Sequence, residues 1–322
     1  MGEESTSVIA QWLFDTRPWF PGATETRHLE SHATRALSLL TSSERAAVLK
    51  YFHLRDAKMA IASALLKHYA IAKLSPTTWS GSVISRGPPP HSKPMYTPSS
   101  PECNPVSFNV SHQAGLVALV AMPSPTTELG VDIVCTSERQ DRDLSLLAAK
   151  ESGWRDFVDM HADVFSPHEV TYLKYQVLSS LTPSKRPATP EGVNAWKLRE
   201  FYALWALREA YVKLTGEALL ADWLRDLEFR NFRSPRGTAS WDTPADEFKE
   251  GDEAEVIRTW DIRRKGQRIL DVNMCLRSLG PDYMIATAVK TPHDVQGGLC
   301  LRLGAYEHLE LEKVLTFAEA NP

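Results

Sequence analysis

The sequence has few cysteines, little net charge and no long apolar run, and each shortage removes a class of protein. Its four cysteines, Cys103, Cys135, Cys275 and Cys300, are scattered without CxxC pairing. That spacing indicates neither a disulfide framework nor a zinc site, and buried free thiols in a reducing cytosol are the simpler reading. The 36 basic and 40 acidic side chains leave a formal charge of −4 over 322 residues. Such a balance supplies no global field for a nucleic acid. The most apolar stretch, 115–122, falls far short of the roughly 20 residues that cross a bilayer and reads as buried strand. At the N-terminus, MGEESTSVIAQW is acidic where a secretory signal needs a basic start. The expectation is a cytoplasmic protein with neither membrane nor nucleic acid as partner.

What is present is ordinary globular composition, 43% hydrophobic and 24% charged, enough for one large domain or two smaller ones. Residues 8–20 alternate in polarity and stop at Pro21-Gly22, predicting a first strand. Across 37–74, apolar positions such as Ile61, Leu65 and Tyr69 recur at helical spacing, and Thr41 to Glu44 offer capping chemistry. The Pro- and Ser-rich 86–105 reads as a loop, followed by two buried strands, 108–122 and 128–134. Helical pieces at 144–159 and 167–178, a linker at 179–192 and a helix at 196–216 follow. An acidic stretch, 233–255, reads as a solvated insertion, then strands at 255–264 and 283–289 precede a polar tail. The order predicts an α+β fold of two pseudo-symmetric halves, 1–127 and 128–322. Each half is a small antiparallel sheet packed on a long helix.

Three segments concentrate polar groups. In Phe108-Asn109-Val110-Ser111-His112-Gln113, hydrogen-bonding side chains alternate with apolar strand residues. A histidine there is more often a satisfied structural residue than a functional one. In Gly130-Val131-Asp132-Ile133-Val134 a carboxylate sits among β-branched neighbours. It is either a turn or cap residue or, facing a cleft, must be paired or hold a cation. In Trp205-Ala206-Leu207-Arg208-Glu209-Ala210-Tyr211-Val212-Lys213, Glu209 and Lys213 share one helical face. A surface ion pair is the plain reading, which Trp205 one turn earlier makes less natural.

Together, Ser-His-Gln, a Gly-x-Asp strand about twenty residues later and W-A-L-R-E-A-Y-V-K resemble the signature of the 4′-phosphopantetheinyl transferases, of the two-half Sfp-like class in its eukaryotic form. Lys93-Pro94, Arg55-Asp56-Ala57-Lys58, and Phe165-Ser166 with Glu169 extend the likeness. The resemblance implies transfer of the phosphopantetheine arm of coenzyme A to a serine of apo acyl or peptidyl carrier domains, leaving adenosine 3′,5′-bisphosphate. Clients of such enzymes are polyketide synthases, nonribosomal peptide synthetases and the aminoadipate reductase of lysine synthesis. It further implies Mg²⁺ held by Asp132 and Glu209, with Lys213 touching a phosphate or orienting Glu209. Lys93, Ser111, His112 and Gln113 would meet coenzyme A, helped by Arg45 and Arg86. Glu209, or less directly Glu169, would take the serine proton. Val134 stands where bacterial relatives often carry a third carboxylate, a position for water or Gln113. Arg208 replaces a commoner lysine with charge retained. A monomer is expected, since both halves lie in one chain. The alternative is a coenzyme A- or carrier-binding protein without transferase activity.

Overall fold

A computed structural model of the chain describes residues 9–87, 93–179, 181, 186–217, 221–237 and 256–322. In chain order the first half comprises β1 (Ala10–Asp15), α1 (Leu29–His32), α2 (Thr34–Ser38), α3 (Ser42–Val48), α4 (Leu54–Leu74), β2 (Ile84–Arg86), β3 (Pro94–Tyr96), β4 (Ser107–Gln113) and β5 (Leu116–Met122). Then come β6 (Glu128–Cys135), α5 (Gln140–Ala148), α6 (Gly153–Met160), α7 (Pro167–Thr171) and α8 (Pro190–Thr215). The chain continues through β7 (Leu227–Arg230), β8 (Val256–Ile257), β9 (Asp261–Arg264), β10 (Gln267–Arg268), β11 (Asn273–Leu279) and β12 (Tyr283–Lys290). It ends with α9 (Val295–Cys300), β13 (Glu307–His308) and α10 (Leu311–Ala320).

Two four-stranded sheets, ordered β13-β1-β5-β4 and β6-β12-β11-β8, stack between two long helices. Side-chain alternation explains the layering. On β5, Val117, Leu119 and Ala121 face α4, whereas Leu116, Ala118, Val120 and Met122 meet Leu129, Val131 and Ile133 of β6 between the sheets. A strand buried on both faces has no polar side to show, which is why 115–122 reads as one apolar run. On the far side of the second sheet, β12 presents Met284, Ala286 and Ala288 to α8.

Local chemistry sets the element ends. Thr41 and Glu44 form a reciprocal capping box that starts α3, and Ser166 with Glu169 does the same for α7. Pro190 opens α8 in its first turn, and Gly216, at φ 81°, closes it in the left-handed region that a side chain with Cβ avoids.

Several sequence expectations change. The strand at 8–20 is confined to β1, and 108–122 is a hairpin whose turn places Ala114 and Gly115 at φ 49° and 92°. The helix expected over 37–74 is three helices, α2 to α4. Within the expected loop at 86–105, β3 pairs with β2. β11 lies where the sequence predicts no strand: its Arg277 looks solvent-facing, yet the guanidinium is buried and donates to the Gly304 carbonyl. The polar tail is instead β13 and α10, which return to the first half: β13 pairs parallel with β1, and Val314, Leu315 and Ala318 join its core. Helix α8 starts inside the expected linker at 179–192. Most of the expected acidic insertion, 238–255, lies outside the described residues.

The close packing of β6 on α8 depends on one glycine. A Cβ added to Gly130 on β6 would lie 2.0 Å from the Ala210 carbonyl oxygen and 2.7 Å from the Leu214 nitrogen of α8. Only glycine lets strand and helix backbones approach this closely. Gly130→Ala is expected to cost about 1–3 kcal/mol, as overpacking does, by pushing β6 away from α8. Denaturant unfolding checks this.

Candidate active site at the junction of the two sheets

The edge strands β4 and β6, one from each sheet, lie side by side without a shared backbone ladder. Outward N–H groups of β6 are met instead by side chains of β4. Val131 N–H donates to Asn109 Oδ1 (3.0 Å), Ile133 N–H to Ser111 Oγ (3.4 Å) and Cys135 N–H to Gln113 Oε1 (3.1 Å). Three polar residues at a spacing of two thus pair an edge that would otherwise leave buried donors unmet. The side-chain span holds the strands farther apart than a ladder would.

A cleft of about 320 Å³ opens here, lined by residues 110–113 of β4, 132–134 of β6, and Trp205, Glu209 and Lys213 of α8. Because alternate β6 residues face α8, Gly130, Asp132 and Val134 share that side, and Gly130 draws it close to Glu209 and Lys213. Lys213 Nζ lies 2.7 Å from Asp132 Oδ1 and donates to Ser111 Oγ at 2.9 Å, while Ser111 Oγ donates to the same Asp132 oxygen at 3.0 Å. Both Asp132 contacts use Oδ1, leaving Oδ2 to the cleft.

Glu209 is the exception. Its half-buried carboxylate makes no hydrogen bond or ion pair with another described residue, and Lys213 turns to Asp132 rather than to it. Burial, and then the charge of Asp132, push Glu209 up to about 7, with Lys213 opposing. Trp205 closes the wall, packed against Phe201, Phe165 and His161 at centroid distances of 6.0, 6.1 and 5.9 Å. At the rim, His112 is solvent-exposed at its edge and held below the ordinary histidine value by the surrounding protein and by Lys213.

Other predicted residues lie elsewhere. Glu169 is fully buried and outside the cleft: it accepts from Ser166 N–H (2.8 Å), Phe229 N–H (2.8 Å) and Arg208 Nη1 (2.7 Å). A carboxylate so enclosed, and outside the cleft, ties α7, β7 and α8 together. Arg208 points the same way, donating also to the Leu227 carbonyl at 2.8 Å and to the Leu224 carbonyl. Its retained charge therefore serves the fold. Lys93 Nζ donates to the Leu214 carbonyl at 2.7 Å, capping the end of α8, and burial pushes it down to about 8. Arg45 on α3 and Arg86 on β2 are exposed and do not line the cleft. Sequence reasoning missed Glu138, which accepts from Gln113 Nε2 at 2.7 Å and from Arg55 Nη2 at 3.0 Å. Nothing in the spacing signals it.

Two sheets, each packed on its own long helix, thus meet at a cleft that carries two carboxylates and a lysine. Residues 27–124 match the family described as 4′-phosphopantetheinyl transferase, N-terminal, and residues 128–261 match the 4′-phosphopantetheinyl transferase superfamily. Over 319 residues the chain is 43% identical to 4′-phosphopantetheinyl transferase 1 of Fusarium mangiferae, covering 98% of this chain and 97% of that protein. It is 35% identical to a 4′-phosphopantetheinyl transferase of Emericella nidulans, covering 89% and 83%. An L-aminoadipate-semialdehyde dehydrogenase-phosphopantetheinyl transferase of Schizosaccharomyces pombe is 30% identical over 223 residues, 66% of this chain and 69% of that protein. The chain belongs to the 4′-phosphopantetheinyl transferase family: it is a transferase that modifies carrier-protein domains with coenzyme A as co-substrate.

Proposed function

We propose that this cleft is where the phosphopantetheine arm passes from coenzyme A to the carrier serine, and that Glu209 and Asp132 carry the chemistry. The observation behind this is the pairing of an unpartnered, half-buried Glu209 with an Asp132 whose second oxygen also faces the cleft. Among the described residues no group of three His, Cys, Asp or Glu could hold a metal ion. Two carboxylates with the free lone pair of the Gln113 oxygen suit Mg²⁺, which keeps waters and substrate phosphates among its ligands. When bound, Mg²⁺ would neutralise charge on the pyrophosphate.

In the transfer the serine oxygen forms a bond to the phosphorus bearing the pantetheine arm, and the bond to adenosine 3′,5′-bisphosphate breaks. Glu209 takes the serine proton. Lys213 holds Asp132 and Ser111 in register and offers its one remaining donor to a phosphate oxygen. His112 at the rim, and Arg45 and Arg86 farther out, are assigned to the coenzyme A phosphates. The Schizosaccharomyces pombe relative's name supports an aminoadipate reductase as one client, beside the carriers of polyketide and nonribosomal peptide synthesis. We place the enzyme in the cytosol as a monomer: its four thiols are free, and both walls of the cleft come from one chain. No helix among the described residues is long and apolar enough to cross a membrane.

The pH dependence follows from Glu209. A carboxyl raised to about 7 is mostly protonated below that pH and can neither hold a cation nor accept a proton. At limiting Mg²⁺, transfer is expected to rise about tenfold per pH unit up to 7 and to level off by about pH 8. The rate of carrier modification measured from pH 5.5 to 8.5 tests this. A flat profile would contradict the assignment of Glu209.

A further inference from the structure

Gln113 is held from both ends by groups that leave its amide one orientation. The Cys135 N–H can only donate, so it must face the amide oxygen (3.1 Å). The Glu138 carboxylate can only accept, so it must face the amide NH₂ (2.7 Å). Reversing the amide would set oxygen against carboxylate and NH₂ against N–H, losing both bonds at once. We infer that Glu138 is a positioning residue of this enzyme: it fixes the direction of the Gln113 amide, so that the oxygen lies on the β6 side of the cleft, against the Cys135 N–H.

The surroundings of Glu138 support this. It lies three residues beyond β6, with its side chain 18% exposed, and its two oxygens are divided: Oε2 takes Gln113 and Oε1 takes Arg55 of the first turn of α4. Arg55 is 55% exposed, so this ion pair contributes little by itself. The consequential contact is the less exposed one to Gln113, because it decides between two amide states of equal shape. Groups that orient the ligands of a metal are worth about 10–100-fold in metal affinity. The link from Glu138 to the cation rests on the reading of the cleft as a Mg²⁺ site, whereas its hold on the amide does not.

The isosteric variant Glu138→Gln separates orientation from shape. A glutamine at 138 that keeps its oxygen on Arg55 turns its NH₂ towards Gln113 and opposes the amide direction that Cys135 requires, while the packing stays. Residue-resolved hydrogen exchange on the full chain should then show the Cys135 amide exchanging at least about tenfold faster, with the melting temperature unchanged. The reciprocal double variant Gln113→Glu/Glu138→Gln restores one orientation, with the new carboxylate accepting from Cys135, and should restore protection. Unchanged exchange in the single variant, or no recovery in the double one, overturns the inference. Titration with Mn²⁺ in the presence of coenzyme A, read by its paramagnetic resonance, should show about 10–100-fold weaker binding in Glu138→Gln and recovery in the double variant. Unchanged Mn²⁺ affinity alongside altered exchange would overturn the claim that the orientation serves the cation. Absence of Mn²⁺ binding in the unaltered enzyme would count instead against the Mg²⁺ reading, and the exchange result would still judge the orientation.

Discussion

Glu209→Gln is expected to lower carrier modification by at least about 10³-fold and, in the metal-free protein at pH 8, to raise the melting temperature. The loss has two sources. Neutral glutamine cannot accept the serine proton, a role worth about 10²–10⁴-fold, and it is a far weaker partner for a cation that stabilises transition-state charge. The gain in stability comes from the same environment. Burial and the Asp132 charge raise Glu209 to about 7 in the folded protein, above the unfolded value. Its contribution to stability is therefore present in full below the ordinary carboxylate range and is lost as pH rises through about 7. Glutamine has no such loss. Because the side chain is only half-buried, solvent screens much of the effect, and a shift of roughly 1–2 °C, corresponding to about 1 kcal/mol over a chain of this length, is the expected size. Activity falling while stability rises would mark a group kept for function. A Glu209→Gln protein that melts lower and transfers normally would contradict this assignment.

Breaking the Arg208–Glu169 pair should have the largest effect on stability. Both side chains are almost wholly buried, 2.7 Å apart, and together they tie α8 to the start of α7, to Phe229 on β7 and to the Leu224 carbonyl. Removing one partner leaves the other charge uncompensated, at a cost of about 3–5 kcal/mol. Arg208→Met and Glu169→Gln should each unfold at markedly lower denaturant concentration, while the molecules that remain folded keep their turnover. Replacing both with apolar residues should recover part of the loss, since the remaining buried charge is then gone too. The opposite pattern, normal stability with turnover lost, would restore Glu169 as a candidate base.

The elements that carry the chemistry are the more legible ones. Asp132 among β-branched neighbours, and Glu209 and Lys213 four residues apart, stand out because a buried strand and an apolar helix face have few uses for charge. The Asn109, Ser111 and Gln113 alternation is visible too, but its use is not. Side chains replacing a backbone ladder between two sheets is a tertiary fact, and nothing in β4 says that β6 lies beside it. The burial of Glu169 against Arg208 is hidden for a related reason. A charge inside a recognisable motif looks functional, whereas here the two charges satisfy each other in the core. In the tail the signal is present but masked: Leu311, Val314, Leu315 and Ala318 recur at helical spacing, and only the flanking acidic residues hide it. Glu138 and Arg55, brought together across 83 positions in sequence, cannot be found without the fold.

The most direct test of the central claim is the intact mass of an apo carrier domain after incubation with this protein, coenzyme A and Mg²⁺, with a chelator control and Glu209→Ala alongside. The expected result is a gain of one phosphopantetheine arm on the carrier, lost both with chelator and with the variant. A carrier that gains the arm undiminished in the chelator, or with Glu209→Ala, would contradict the roles given to this cleft.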